Sequence, residues 1–263
     1  MFQRLRTRAL LPFLALLAAA CSAGQADRDN LSKPRLGLFT SLPLYWGEGE
    51  IGTFIDGEGK SDWVRAELET RFELVPLDTL EQDALAGVDR VILAQPRPLA
   101  PSENAAFDRW VAEGGKAVIL ADPMLTRHTR YPIGDRRRPQ DVVLLSPILS
   151  RWGVELQFDE DQPGGERVVD VDGHGFPVNL RGRFIRKDTG AADRTCQPMG
   201  DALFARCTRG RGSAFLYADA AVLDWEGADP VPAARRDALW HLLRPLAGEQ
   251  RDLSQSDETA DAV

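Results

Sequence analysis

Three residues with side chains suited to a hydrolytic site follow predicted strands in this chain. Ser41 comes after the first predicted strand, Asp122 comes after the fourth, and His128 lies in the loop beyond it. Because open α/β sheets bind ligands at the carboxyl ends of their strands, these side chains could meet at one edge and form the site of a hydrolase of unknown substrate. We favour the alternative, in which Asp122 turns the chain before Pro123 and His128 is a surface residue.

The motifs of several known catalytic and nucleotide-binding sites are missing from the sequence. It contains neither a Gly-x-Ser-x-Gly nucleophile elbow nor a Walker-type phosphate loop. No histidine lies near Cys196 or Cys207, so these cysteines do not indicate a metal site. We therefore predict that the chain is not an enzyme and that it binds no cofactor and no metal.

The loop after the first predicted strand, residues 42–48, is the better candidate for binding. Tyr45 and Trp46 are of the residue types that anchor partners and ligands, and the arginines of residues 127–138 suit an acidic partner. The alternative for Trp46 is that it covers the core. The predicted binding surface comprises Ser41, Tyr45, Trp46, Glu48, Gln95, Asp122 and Arg127.

The N-terminus has the pattern of a bacterial lipoprotein signal. Arginines at positions 4, 6 and 8 precede an apolar run over residues 10–20, and Leu17-Ala18-Ala19-Ala20-Cys21 resembles a lipobox. The run is shorter than the roughly 20 residues that cross a bilayer. We predict a signal peptide over residues 1–20, a lipid on Cys21 and a tether over residues 21–34. A plain secretory signal and an uncleaved anchor are the alternatives.

The acidic balance of the chain limits its partners. The formal net charge is -8, and loss of the three leader arginines would make the mature chain more acidic still. Such a chain has no electrostatic reason to bind nucleic acid or to lie on anionic lipid. We expect it to contact the membrane through its lipid and to face the periplasm, with integral membrane or transporter proteins as partners. Ser22 slightly favours the outer membrane over the inner one.

Two cysteines remain besides Cys21, and in an oxidising compartment Cys196 and Cys207 predict one disulfide. The chain-entropy model gives such a bridge a stabilisation of roughly 3 kcal/mol. Two buried, inert thiols are the alternative.

The apolar pattern alternates between strands and helices from residue 35 to residue 122. Short runs such as Leu36-Gly37-Leu38-Phe39 and Lys116 to Ala121 are typical of strands buried on both faces of a parallel sheet. Ser61 and Ser102 are the expected N-caps of the helices between them. The sequence therefore predicts an α/β domain over residues 35–247, with an irregular β-rich insertion at about 159–212. The acidic tail, residues 248–263, is expected to be disordered.

A longer pattern joins the strands and helices of residues 91–123. It runs from Val91-Ile92-Leu93-Ala94-Gln95-Pro96 through Leu99-Ala100-Pro101-Ser102-Glu103 and Phe107-Asp108-Arg109-Trp110 to Gly114-Gly115-Lys116, and it ends at Ile119-Leu120-Ala121-Asp122-Pro123. This pattern resembles the auxiliary domain of uncharacterised ABC-type transport systems, a gliding-motility-type extracytoplasmic component. Leu149, Trp152, Gly153 and residues 210–223 also fit, so the resemblance covers most of residues 35–247.

The resemblance implies a flavodoxin-like, class I glutamine-amidotransferase-like three-layer sandwich with a mostly parallel sheet. It implies no amidotransferase activity, because Gln95-Pro96-Arg97-Pro98 occupies the turn where such an enzyme carries its cysteine. The function it implies is that of a non-catalytic envelope lipoprotein, an auxiliary or scaffolding component of an ABC-type transport system or a related membrane assembly. A periplasmic small-ligand binder or sensor and a hydrolase are the alternatives.

Overall fold

The computed structural model describes residues 33–48, 62–187, 194–225 and 229–247. The predicted signal peptide, Cys21, almost all of the tether and the acidic tail lie outside these residues. In chain order the strands are β1 (Arg35–Thr40), β2 (Glu73–Pro76), β3 (Arg90–Ala94), β4 (Lys116–Leu120), β5 (Val154–Phe158), β6 (Arg167–Val171), β7 (His174–Val178), β8 (Gly182–Arg186), β9 (Arg194–Met199), β10 (Phe204–Arg209) and β11 (Gly212–Tyr217). The helices are α1 (Trp63–Glu69), α2 (Gln82–Leu85), α3 (Pro101–Ala112), α4 (Ser146–Trp152) and α5 (Ala233–Ala247), with a 3-10 turn at Ala221–Leu223.

The central sheet has seven strands in the order β2-β1-β3-β4-β11-β10-β9. The first five of these strands are parallel, β10 runs antiparallel to β11, and β9 at the edge runs antiparallel to β10. Strands β1, β3, β4 and β11 are almost wholly buried because both faces of the sheet are covered. The predicted fold class, a flavodoxin-like α/β sandwich with a mostly parallel sheet, is confirmed.

The helices cover the sheet in two layers. The connections β1-α1-β2 and β3-α3-β4 run in opposite directions along the sheet, and right-handed crossovers then place their helices on opposite faces. Helix α5 joins the α1 layer, where Trp240 Nε1 donates to Glu67 at 2.6 Å. Helices α2 and α4 contact α3 on the other face. No helix among the described residues is long and apolar enough to span a bilayer.

Two helix starts differ from the sequence prediction. The N-cap of helix α1 is Asp62, which accepts the Val64 N–H at 2.8 Å, whereas the predicted cap, Ser61, lies outside the described residues. Helix α3 begins at Pro101 rather than after Ser102, and the Glu103 carboxylate accepts the N–H of Ala100 at 2.8 Å. Proline suits the first helical position because its missing N–H would have no partner there.

The segment predicted as a β-rich insertion, about 159–212, divides into two parts. Strands β6 and β7 form a hairpin outside the central sheet, and β8 pairs with β5. Strands β9 and β10, in contrast, extend the central sheet. Cys196 on β9 lies directly opposite Cys207 on β10 and forms a disulfide with a Cα–Cα distance of 4.0 Å. The predicted disulfide is therefore present, and the alternative of two free thiols is wrong.

Candidate functional site

The carboxyl ends of β1 and β3 are joined by a short network of hydrogen bonds. The Ser41 hydroxyl donates to the Gln95 carbonyl at 2.5 Å and accepts the N–H of Gln140 at 3.0 Å. Strand order reverses between β1 and β3, which is where open α/β sheets bind ligands. In this protein the chain's own segment around Gln140 is fixed at that position.

The side chain of Gln95 holds this segment in place. Its Nε2 donates to the carbonyls of Asp122 at 3.0 Å and Gln140 at 2.8 Å, and its Oε1 accepts the N–H of Asp122 at 2.9 Å. Gln95 is fully buried and has a positive φ of 43°, a conformation that non-glycine residues adopt rarely. This buried residue thus links β3, β4 and the loop after β4 through hydrogen bonds.

Two buried aspartates lie at the ends of β4 and β11. Asp122 accepts the N–H groups of Met124 at 2.8 Å and Ala220 at 3.2 Å. Asp219 accepts those of Ala221 at 2.6 Å and Asn179 at 2.9 Å. Burial raises the pKa of Asp122 to about 7. Burial together with the charge of Asp122 raises the pKa of Asp219 well above its usual value. The pair therefore retains protons at pH values where an exposed aspartate is ionised.

The loop after β1 carries one anchored and one exposed aromatic residue. Tyr45 is partly buried against the core, with the Arg65 guanidinium 4.2 Å from its ring centroid. The Trp46 side chain is 67% exposed and meets the Tyr45 ring edge-on at 4.7 Å between ring centroids. The alternative that Trp46 covers the core is wrong, because its neighbour Tyr45 takes that place.

Residues 127–138, named here the arginine loop, lie beside these aromatic residues. The Glu48 carboxylate accepts the N–H of Arg130 at 3.2 Å and so joins the two loops. Arg137 pairs with Asp135 at 2.8 Å, and the side chains of Arg130 and Arg136 form no ion pair with a described residue. The loop contains five arginines and one aspartate, so it is a cationic region on an acidic chain.

Arg127 is the member of the predicted surface whose charge faces inward. Its side chain is only 11% exposed, pairs with Asp62 at 3.5 Å and donates to the Leu223 carbonyl at 3.4 Å. Burial is the largest influence on Asp62 and raises its pKa, although Arg127 opposes this rise. Arg127 therefore joins the arginine loop to the start of α1.

The structure does not bring His128 to Asp122 and Ser41. His128 is exposed and forms no hydrogen bond with a described residue, whereas Asp122 and Ser41 use their side-chain oxygens on backbone groups. Among the described residues, no group of three His, Cys, Asp or Glu side chains could hold a metal ion.

Two buried carboxylates important to the structure were missed by sequence reasoning. Asp219 follows β11 as Asp122 follows β4, so an aspartate directly after a buried strand was the signal. Asp108, on α3, accepts hydrogen bonds from Arg151, Trp152 and Arg209. These partners are far away along the chain, and no local pattern indicates them.

Comparison with known proteins gives a likeness of fold only. No protein-family model and no curated protein matches the chain, so no match supports the resemblance to ABC auxiliary domains. Similar solved structures include the GH42 β-galactosidase Gan42B from G. stearothermophilus, with a TM-score of 0.46, 13% identity, and 88% of this chain and 34% of that chain covered. A putative ThuA-like protein from Bacteroides uniformis has a TM-score of 0.43 and 10% identity over 82% of this chain and 92% of that one.

A third solved structure is the exo-β-1,4-mannosidase Op5Man5 from an Opitutaceae bacterium, with a TM-score of 0.41 and 13% identity. The matched part covers 80% of this chain and 35% of that chain. The chain thus spans about a third of the length of the glycoside hydrolases that it resembles.

The prediction that the chain is not an enzyme is contradicted by this comparison, because several of the similar structures are glycoside hydrolases. The prediction rested on a missing nucleophile elbow and a missing thiol. Glycoside hydrolases typically use pairs of carboxylic acids, which leave no such motif. The lack of those motifs therefore does not exclude catalysis, and a likeness at 13–15% identity assigns none.

Proposed function

We propose that the chain is a lipid-anchored component of the cell envelope that docks on an integral membrane assembly. The docking surface comprises Tyr45, Trp46, Glu48 and the arginine loop, and is named here the Trp46 surface. The observation that carries this proposal is the exposure of Trp46, 67%, beside a cationic loop on an acidic chain.

Tryptophan, tyrosine and arginine are the residue types most enriched at the hot spots of protein interfaces. Arg130 and Arg136 provide charges that would attract an acidic partner surface, and Glu48 holds the loop beside Trp46. The partner that suits this chemistry is the acidic extracytoplasmic face of a membrane protein. The resemblance to auxiliary domains of ABC-type systems favours a transporter subunit.

The occupied crevice at the sheet edge favours a partner that binds outside it. Gln95 and Ser41 hold the Gln140 segment at the point where a small ligand would otherwise enter between β1 and β3. A partner therefore meets the outer side of the loops rather than the strand ends.

The docking surface can be tested by affinity purification of the full chain from gently solubilised membranes. We expect Trp46→Ala to reduce recovery of the membrane partner by about tenfold or more, as truncation of a hot-spot tryptophan costs about 2 kcal/mol or more. Val168→Ala is the matched control, because Val168 is 68% exposed on the hairpin of β6 and β7. Equal recovery with the wild type, Trp46→Ala and Val168→Ala would contradict the proposal.

Charge reversal tests the arginine loop separately. We expect the double variant Arg130→Glu, Arg136→Glu to weaken the same association and to weaken it most at low salt, because exposed charges are screened as ionic strength rises. Arg183→Glu, an exposed arginine of β8, is the control. An association that is unchanged by the double variant would remove the loop from the docking surface.

The anchor can be tested independently of the partner. In cells that process lipoproteins, the wild type should incorporate radiolabelled palmitate and Cys21→Ala should not, because the substitution removes the site of acylation. Absence of label in the wild type, or equal label in Cys21→Ala, would contradict lipid attachment at Cys21.

A further inference from the structure

A groove lies between α3 and α4, remote in sequence from the Trp46 surface. One face of α3 lines it, with positions spaced by three and four residues along the helix. Ala105 and Ala112 are on this face, and their short side chains leave space beside the helix. Pro147 and Ile148 of α4 form the opposite wall. The cavity volume is about 480 Å³, within the range of small-molecule sites.

A buried carboxylate holds two guanidinium groups at this groove. Asp108 accepts the Nε–H of Arg151 at 2.8 Å and that of Arg209 at 3.0 Å. It also accepts the indole N–H of Trp152 at 2.9 Å. Burial alone would raise its pKa, but the hydrogen bonds from Arg209, Trp152 and Arg151 lower the pKa of Asp108 to about 2. The carboxylate is therefore ionised at neutral pH, and it orients both arginines.

The groove retains an excess of positive charge. Arg109 also lines it, is exposed and forms no hydrogen bond or ion pair with a described residue. Arg151 donates from its Nε to Asp108, and its two terminal amino groups form no hydrogen bond with a described residue. Among the described residues that line the groove there are three arginines, of which Arg109 and Arg151 are exposed, and one carboxylate, Asp108, on a chain whose net charge is -8. Such a local excess of cations attracts an anionic ligand.

We infer that this groove binds a small organic carboxylate with an apolar body, such as a short fatty acid. A guanidinium group matches a carboxylate through two parallel N–H···O bonds, and the two exposed arginines, Arg109 and Arg151, present such groups. Ile148, Pro147 and the two alanines supply apolar walls for a hydrocarbon chain. The volume suits a single small molecule rather than a protein partner.

The test uses hexanoate as the probe and hexan-1-ol as its uncharged analogue, with the full chain at constant ionic strength. We expect hexanoate to bind saturably by isothermal titration calorimetry and to raise the thermal midpoint, because a ligand of the native state stabilises it. Hexan-1-ol should bind at least about tenfold more weakly, since it cannot form the charge-assisted hydrogen bonds.

Two variants locate the binding. Arg109→Ala removes the guanidinium that has no partner among the described residues, and Ala105→Leu fills the groove from an exposed helix position. Both should weaken hexanoate binding by about tenfold or more. Arg183→Ala and Ala66→Leu, at exposed positions outside the groove, are the matched controls and should bind hexanoate as the wild type does.

Absence of hexanoate binding to the wild type would overturn the inference, as would equal binding by Ala105→Leu and Ala66→Leu. Equal binding of hexan-1-ol and hexanoate would also overturn it, because the arginines would then contribute nothing. These outcomes do not depend on how much membrane partner is recovered with Trp46→Ala. The proposal about the groove and the proposal about the Trp46 surface can therefore be contradicted separately.

Discussion

At the scale of single residues, Gln95 shows how one side chain fixes a loop. Its amide bonds to one N–H and two carbonyls of Asp122 and Gln140, which both lie in the loop after β4. An amide carries the two donors and the acceptor used here, whereas a carboxyl group carries at most one donor and leucine carries none, so neither glutamic acid nor leucine can replace it. The loop that bears Arg130 and Arg136 begins and ends at these bonded positions. Its shape therefore depends on a residue that never meets solvent.

We expect Gln95→Leu to lower the free energy of unfolding by about 2–5 kcal/mol, because the N–H of Asp122 and the carbonyl of Gln140 lose their buried partner. The measurement is urea unfolding at neutral pH. Trypsin should also cleave the arginine loop faster in this variant. Gln82→Leu, at an exposed position of α2, is the control and should change neither quantity. Wild-type stability of Gln95→Leu would show that water replaces the amide.

Residue types could be predicted from the sequence better than their surroundings. The sequence places Tyr45 and Trp46 together on a surface, but it does not show that Tyr45 packs against the core, where the Arg65 guanidinium lies over its ring. Ser41, Gln95 and Asp122 were placed at one sheet edge, where the structure brings them together. Their partner Gln140 could not be predicted, because a loop without apolar periodicity carries no signal of where it returns.

At the scale of elements, a disulfide joins the two strands at one edge of the sheet, β9 and β10. Strand β9 is the edge strand and pairs only with β10, directly across the Cys196–Cys207 bridge. Both cysteines are buried, with 2% and 1% of their surface exposed, so a reductant reaches the bridge only after the edge opens.

The double variant Cys196→Ala, Cys207→Ala should be about 3 kcal/mol less stable than the wild type, because the open chain gains conformational freedom when it unfolds. The test is urea unfolding with and without dithiothreitol. The reductant should lower the stability of the wild type to that of the variant and leave the variant unchanged. Equal stabilities of the oxidised wild type and the variant would show that the bridge adds nothing.

The buried strands were predicted well because both faces of a parallel sheet require continuous apolar runs, as in β3 and β4. Helix starts were predicted less well. A serine near a helix start is a frequent cap, yet Asp62 and Glu103 bond the free N–H groups instead. The four-residue helix α2 was missed, since one turn is too short to show helical periodicity.

At the scale of the whole molecule, buried ionisable groups make stability depend on pH. Asp122 and Asp219 have raised pKa values, so the native state keeps protons that the unfolded chain releases above about pH 4. Their contribution to stability is complete below that pH and is lost as pH rises through their folded pKa values. His241 acts in the opposite direction, because burial lowers its pKa to about 4.

Asp122 and Asp219 together have a larger effect on the pH dependence of stability than His241. We therefore expect the free energy of unfolding to be larger at about pH 5 than at about pH 7.5. Urea unfolding across this range measures the difference. In Asp122→Asn the free energy of unfolding should fall less steeply with rising pH than in the wild type. The two slopes should differ by about 1.4 kcal/mol per pH unit. A wild-type stability that rises steadily from about pH 5 to about pH 7.5 would contradict the assignment of protons to the pair.

Below about pH 4 we expect the opposite pH dependence, so that stability falls as the pH falls. Glu103 and Asp108 have pKa values of about 2, Glu103 mainly through its bond from Arg97, and their contribution is lost as pH falls through those values.

The position of β11 also governs how the sheet can be assembled. Strand β4 pairs with β3 on one side and with β11 on the other. Strand β11, residues 212–217, is made only after all the intervening strands, β5 to β10. Until then β4 has backbone groups without a partner along one whole side. A nascent chain that stops short of β11 thus carries an open, apolar strand edge, the feature by which unfinished proteins adhere to one another.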